Sequence, residues 1–252
     1  MSITILQEYF DELGLTSLSG YLETYLHEDA SLDRPLTESL VSLFNYEITQ
    51  RRQRTAKMRL TMSGLPVTKT LEEFELDMIE GISNKQLQTL GSLSFIDRKE
   101  NVVLMGQSGL GKSHILYALC YKACLLGHSV YQTTCQELME KLLKAKQQNR
   151  LSTKIKSLCN LKILAIDEIG YQNLTAEEAS LFFQLISKRY EKGSLILTTN
   201  KAFGQWGELL GDAAIATATL DRLLHHASVF ILKGESYRLK KRKALGVVPH
   251  FQ

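Results

Sequence analysis

The sequence predicts an α/β protein: a parallel five-stranded sheet with helices on both faces, preceded by a small all-helical domain. Three observations carry that expectation. From Asn101 onward, short apolar runs alternate with amphipathic stretches, as in a parallel sheet whose crossovers are helices. Over residues 1 to about 60, apolar residues recur at helical spacing and strand signals are lacking. Between the first apolar run and the amphipathic stretch after it lies Gly106-Gln107-Ser108-Gly109-Leu110-Gly111-Lys112-Ser113. It fits G-x-x-x-x-G-K-[ST] in the strand–loop–helix setting that this pattern requires.

The first helices are read from Tyr9, Phe10 and Leu13, then Leu18, Tyr21, Leu22, Tyr25 and Leu26. Pro35, after Asp33-Arg34, suits a helix start, and Leu36, Leu40, Leu43 and Phe44 continue the period. Arg51 to Arg59 carries five positive charges and no negative one. Gly64-Leu65-Pro66 breaks the pattern, so the helical domain is expected over 1–66 and the α/β domain over 67–252. An amphipathic stretch runs around Leu87, Leu90 and Leu93. Strands are expected at 101–105, 129–133, 162–166, 194–199 and 228–232; several are almost wholly apolar, as strands covered on both faces must be. Thr175-Ala176-Glu177-Glu178 is a capping box ahead of Phe182, Phe183, Leu185 and Ile186.

Composition narrows the class. The 252 residues are 44% hydrophobic and 23% charged, ordinary for a globular protein with a sizeable core. Met1 to Phe10 lacks a basic region followed by a long apolar run, and no stretch is long and apolar enough for a membrane span. Cys120, Cys124, Cys135 and Cys159 show no CxxC spacing. They are expected to be reduced thiols in a cytoplasmic protein. Net charge is only +3, so its distribution matters more than its total.

The loop's chemistry follows from its residue types. Its glycines let backbone N–H groups approach phosphate oxygens, and the helix that opens near Lys112 aims its positive end at the same place. Gly106 to Ser113 and His114 are therefore the expected nucleotide-binding residues, with Lys112 a point charge on the β- and γ-phosphates. ATP and Mg²⁺ are the expected cofactors. Ser113 and Asp167 would hold the metal, and Glu168, at the end of the third strand, would orient the attacking water. Asn200, at the tip of the fourth strand, is positioned to reach the γ-phosphate or that water. Glu137 to Lys162 carries seven basic and two acidic residues, a net +5 in a chain whose total is +3. Lys144, Lys146, Arg150, Lys154 and Lys156 are the expected contacts to a DNA backbone, with little reading of bases because no aromatic residue interleaves with the charges.

These elements together resemble the AAA+ ATPases, and the run from Asn101 to Lys240 is similar to the IstB family, ATP-binding helpers of insertion-sequence transposases. The stretches that carry the likeness are Glu100 to Gly106, Lys112-Ser113-His114, Ile166 to Tyr171, Phe203 to Glu208, Leu220 to His226 and Glu235-Ser236-Tyr237-Arg238. The resemblance implies an AAA+ core, Mg-dependent and DNA-stimulated ATP hydrolysis, and homo-oligomers with ATP at subunit interfaces. It also implies duplex DNA and a transposase as partners and, as the alternative, the loading of a replicative helicase. Arg222 would be an arginine finger for a neighbouring subunit, and Arg238 a second sensor of the γ-phosphate. In initiator-type relatives the helical element between the second and third strands tracks DNA, the place of the basic segment here. His225 and His226 are expected to be structural, since no ligand cluster is visible around them in the sequence. Family members often carry Thr where this chain has Ser113, which keeps the hydroxyl. With little sequence after Arg238 for a helical lid, the nucleotide is expected to depend more on the neighbouring subunit.

Overall fold

The computed structural model describes residues 3–29, 35–76 and 79–237, so Arg238 and the basic run after it lie outside the described residues, as do Asp33 and Arg34. The chain divides into two compact units after Met58, inside a long helix. The sequence alone places that boundary at residues 66/67.

The first unit is helical. It comprises α1 (Ile3–Glu12), α2 (Thr16–Asp29) and the larger part of α3 (Leu36–Met62). Leu18, Tyr25 and Leu43 form its small core, and Tyr21 stacks on Tyr46 with ring centroids 4.0 Å apart. Glu47, 2% exposed, accepts the amides of Ser17 and Leu18 at 3.0 and 3.2 Å, so a carboxylate sits at the positive end of α2. Arg51 and Arg54 reach the same carboxylate at 2.8 and 3.3 Å. Burial pushes Glu47 up, but Arg51 and the amides outweigh it and hold the group below the usual carboxylate range. Two of the five positive charges read from Arg51 to Arg59 thus hold this helix pair together.

The second unit is the α/β domain. A short strand, β1 (Ile79–Glu80), precedes α4 (Asn84–Gly91) and α5 (Ser94–Asp97). Then come β2 (Asn101–Met105), α6 (Lys112–Leu125), β3 (Val130–Thr134), α7 (Cys135–Gln147), α8 (Leu151–Cys159) and β4 (Ile163–Ile169). The last part holds α9 (Ala176–Arg189), β5 (Ser194–Thr199), α10 (Trp206–Leu210), α11 (Ala213–Leu224), β6 (Ala227–Ile231) and β7 (Lys233–Gly234). Five strands form one parallel sheet in the order β3-β4-β5-β2-β6, and β1 pairs with β7 antiparallel in a separate ribbon. That ribbon has no counterpart in the sequence reading, because two-residue strands leave no periodicity.

Strand alternation divides the core. Val102, Leu104, Ile163, Ala165 and Ile196 pack with α4 and α6 on one face. Val103, Leu164, Ile166, Leu195 and Leu197 pack with α7, α8, α9 and α11 on the other. Both faces are covered, which is why these strands are apolar throughout. The capping box at Thr175 is formed: its hydroxyl accepts the Glu178 amide, and the Glu178 carboxylate accepts the Thr175 amide at 2.9 Å.

Burial pushes the Cys120 and Cys124 thiols above their ordinary range, and Cys135 up to about 12, so these cysteines pack as small apolar groups. Arg189 is the buried charge that sequence reasoning passes over. It is 1% exposed and donates to the carbonyls of Leu158, Leu161, Lys162 and Ser194 at 2.5 to 3.3 Å. One guanidinium thereby ties the end of α8 to the starts of β4 and β5, and burial lowers its pKa to about 10. Arg189→Met is expected to strand these carbonyls and to cost about 3 kcal/mol or more of unfolding free energy, read from a urea transition. A loss below about 1 kcal/mol would mean that water satisfies them instead.

Candidate functional site

The phosphate loop leaves the carboxyl end of β2, between its neighbours β5 and β6, where open α/β sheets bind ligands. Two of its glycines are required by geometry. Gly109 (φ 86°) faces Ser236, and a Cβ on Gly111 (φ 77°) would come within 2.5 Å of the Phe74 ring. Gly111 is also the N-cap of α6, and no side chain caps that helix, so its first amides face the loop. Lys112 is buried, and its ammonium donates to the carbonyls of Gly106 and Gln107, both at 2.7 Å.

Opposite the loop, β4 carries an irregularity that the sequence does not announce. It pairs with β5 up to Ile166↔Leu197 and again at Ile169↔Thr199, so β4 advances three residues while β5 advances two. This bulge contains Asp167 and Glu168, and it re-aims them out of the strand's regular alternation. The expected strand end at 166 is therefore corrected: buried Ile169 re-pairs beyond the bulge and extends β4. Glu168 has φ 64°, a conformation rare for a residue with a side chain. Its amide is held by Thr198 Oγ1 at 2.9 Å and by Asp167 Oδ1 at 3.1 Å. Its carboxylate end is exposed and borders both the cleft at the loop and a second one beside Cys135 and Glu178.

Asp167 is 1% exposed, and three hydroxyls donate to its carboxylate. Ser113 Oγ donates to Oδ1 at 3.0 Å, Thr198 Oγ1 donates to Oδ1, and Tyr117 Oη donates to Oδ2 at 2.8 Å. Burial and the Asp167 charge push the Tyr117 phenol up, so it stays a donor at neutral pH. A buried carboxylate with a serine hydroxyl beside it, facing a phosphate loop, is a donor set that fits Mg²⁺. Ser113 and Asp167 are the residues that would hold it.

The cleft has a volume of about 480 Å³. Its floor includes Lys112, Ser113, Asp167 and Glu168, and its walls include Val67, Phe74, Ile79 and Tyr237. Apolar and aromatic walls over a polar, amide-lined floor suit a base and a triphosphate respectively. Residues 67–76 close over the loop: His114 Nε2 lies 2.8 Å from the Thr70 carbonyl, and its ring meets Phe74 edge-on at 5.5 Å. Tyr237 closes the other side, its amide donating to the Gly109 carbonyl at 3.0 Å.

The remaining expected residues are distributed as follows. Ser108 and His114 line the cleft, Gln107 is exposed beside it, and the Leu110 side chain turns away into the core. Asn200 lies just past β5, exposed, with its side chain against Gly170; Thr198 is the β5 residue that borders the cleft. Arg222 stands at the far edge of the sheet. It precedes Leu223, whose carbonyl accepts from Asn101, the first residue of β2, whereas the loop follows the last. The five residues of β2 span about 16 Å at about 3.3 Å each. Arg222 is half-buried, donates to the Ala218 carbonyl at 2.9 Å and lies 5.0 Å over the Phe183 ring.

The basic segment forms the α7–α8 hairpin. Leu138, Met139, Leu142, Ile155 and Leu158 face the core, which leaves Lys144, Lys146, Arg150 and Lys156 exposed and Lys154 half-buried. Lys146 pairs with Glu177 at 2.7 Å. An aromatic does join the charges: Lys141 and Lys154 lie 5.6 and 5.8 Å over the Tyr131 ring, which β3 supplies from outside the segment.

Sequence reasoning missed Thr198, Tyr117 and the covering segment 67–76. Tyr117 was within reach, since it stands one helical turn after Ser113 on the same face. The expectation that no ligand-type residues surround His225 and His226 is corrected: Glu191, at the turn after α9, converges on them. Among the described residues, no helix is long and apolar enough to cross a membrane.

Comparison with known proteins bears on the family and the fold. The chain is 43% identical over 243 residues to the ATP-binding protein of insertion sequence IS21 from Pseudomonas aeruginosa, covering 96% of this chain and 92% of that one. It is 40% identical over 238 residues to the corresponding protein of insertion sequence IS5376 from Geobacillus stearothermophilus, covering 94% and 95%. Among solved structures, the DnaC helicase loader superposes with a TM-score of 0.52 at 16% identity, over 65% of this chain and 96% of that one. AMPPCP-bound DnaA from Aquifex aeolicus gives 0.55 at 16%, over 74% and 58%. At such identities these two speak for the fold alone, the α/β fold of P-loop ATPases. The family of IstB-like ATP binding proteins matches residues 9–244, and this chain belongs to it.

Proposed function

We propose that this chain is a Mg²⁺-dependent ATPase that assembles on duplex DNA, with ATP between subunits, and assists the transposase of an insertion sequence. The observation that carries the proposal is the position of Arg222. The loop, Asp167 and Glu168 occupy one edge of the sheet, and Arg222 stands at the other. A head-to-tail array of identical subunits brings the second edge of one copy to the first edge of the next.

Each residue then has a task. Loop amides and Lys112 bind the phosphates, and the donations Lys112 makes to Gly106 and Gln107 are exchanged for phosphate oxygens. Bound at Ser113 and Asp167, Mg²⁺ supplies neutralisation of charge on the phosphates. Thr198 and Tyr117 hold the Asp167 carboxylate in place for it. Glu168 polarises the attacking water, and Asn200 approaches it once the cleft is filled. Arg222 of the next subunit stabilises charge in the transition state. Lys144, Lys146, Arg150, Lys154 and Lys156 neutralise DNA phosphates from the outer side of the α7–α8 hairpin, so affinity falls steeply with salt. Relatives at 40% identity and above are insertion-sequence proteins, which favours a transposase over a replicative helicase as partner.

The test is assembly itself. Light scattering and negative-stain imaging of the full chain with ATP and duplex DNA are expected to show large ordered particles. Lys112→Ala is expected to remove both nucleotide binding and the particles. The same monomer with and without ATP and DNA would end the proposal.

A further inference from the structure

A second cluster of chemically capable side chains lies beside Arg222. Glu191 comes from the turn after α9, and His225 and His226 come from the turn between α11 and β6. One ligand-type atom from each falls within 4.8 Å of the other two, and His226 Nε2 is 3.7 Å from Glu191 Oε1. The His226 and Glu191 side chains are 52% and 58% exposed, so a metal ion and its waters have free access. We propose that Glu191, His225 and His226 form a binding site for a divalent transition metal of the zinc class.

Three features distinguish the cluster from a chance surface pairing. First, the two histidine backbones are fixed. The His225 amide donates to the Asp221 carbonyl at 3.1 Å at the end of α11, and the His226 carbonyl accepts the Asn101 amide at 2.7 Å at the start of β2. Second, the His225 ring is oriented: Nδ1 lies 2.8 Å from Tyr190 Oη, the kind of outer partner that sets the plane of a ligating imidazole. The two imidazole rings stand edge to face with centroids 4.2 Å apart. Third, Glu191 is held at φ 58°, a conformation disfavoured for glutamate, and it directs the carboxylate toward the histidines. Tetrahedral ligation at about 2.0–2.1 Å needs ligand atoms about 3.3 Å apart. Closing the widest gap therefore takes about 1.5 Å of movement, shared among exposed side chains. Two imidazoles and one carboxylate select zinc, copper, nickel or cobalt over magnesium and calcium, and they leave a position for water. A bound ion cross-links the α9–β5 and α11–β6 turns, three residues beyond Arg222, and fixes the end of the helix that carries it. The site uses no residue of the ATP cleft, so it stands whether or not the proposed ATPase cycle does.

Cobalt(II) is the probe, added to the full chain at neutral pH without nucleotide. The expected result is visible d–d absorption that saturates at one equivalent per chain and is displaced by zinc. The near-ultraviolet thiolate band that ligation by Cys159 would give should be absent. Glu191→Gln and His226→Gln, both at exposed positions, are each expected to weaken cobalt binding about tenfold or more, and Tyr190→Phe about tenfold through the His225 ring. Circular dichroism confirms that each variant is folded. No saturable absorption below millimolar cobalt in the unmodified chain would overturn the site, and so would cobalt affinity unchanged in both Glu191→Gln and His226→Gln.

Discussion

Arg222→Ala is expected to lower ATP turnover on duplex DNA by about three to five orders of magnitude while ATP binding stays intact. The neighbour of Arg222, Leu223, is hydrogen-bonded to the first residue of β2, and the loop of the same chain follows the last, about 16 Å of strand away, so Arg222 belongs to the opposite end of the sheet from its own nucleotide site. Its contacts at home include a hydrogen bond to the Ala218 carbonyl and the face of Phe183. Losing them costs about 1 kcal/mol of stability, so a large kinetic loss would have to come from another subunit's active site. A mixing experiment separates the two origins. Glu168→Gln subunits bind ATP and offer an intact Arg222, whereas Arg222→Ala subunits offer an intact Glu168. In a head-to-tail array of equal parts, about a quarter of the interfaces combine both intact residues, and turnover should return to about a quarter of the unmodified rate. If Arg222→Ala alone turns over normally, or if the mixture co-assembles without recovery, the sites are not shared.

Much of the fold was legible because the second unit is a doubly covered parallel sheet. Strands buried on both faces must be apolar, so Val102 to Met105 and Leu195 to Leu197 stand out against their polar flanks. The phosphate loop was legible for a similar reason: its glycines answer to a backbone constraint that acts locally. What escaped is what depends on distant partners. The bulge at Asp167–Glu168 is a matter of register between β4 and β5, and no local pattern encodes it. Arg189 sits after Lys188 at a helix end and reads as one more solvated cation; the carbonyls that surround it belong to four separate residues. Phe74 reads as an isolated aromatic, and only the fold lays it over Gly111. The approach of Glu191 to His225 and His226 brings residues more than thirty positions apart together, again through strand order rather than spacing.

Glu168→Gln is the other change with a large expected effect, and it acts in the opposite sense on assembly. The backbone anchors of Glu168 are its amide bonds to Thr198 and Asp167, which the substitution leaves in place. The side chain is exposed and nearly unchanged in shape, so folding, the buried Asp167 centre and ATP binding should all persist. What is lost is the charge that draws a proton from water. Removing a general base lowers turnover by about two to four orders of magnitude. If hydrolysis releases the array, a chain that binds ATP without splitting it should remain on DNA. The variant should therefore show longer-lived particles by light scattering and slower release after ATP is diluted away. Lys112→Ala provides the contrast, since it removes the triphosphate and the particles together. Glu168 also borders the second cleft, beside Cys135 and Glu178 at the foot of the basic hairpin. Under the proposed function, DNA held on α7 would lie next to the cleft that Glu168 borders, and turnover would be expected to rise when DNA is present. Unmodified turnover in Glu168→Gln would remove the base from the mechanism. Lost turnover with normal release would separate hydrolysis from disassembly, and nucleotide exchange rather than cleavage would then set the lifetime of the complex.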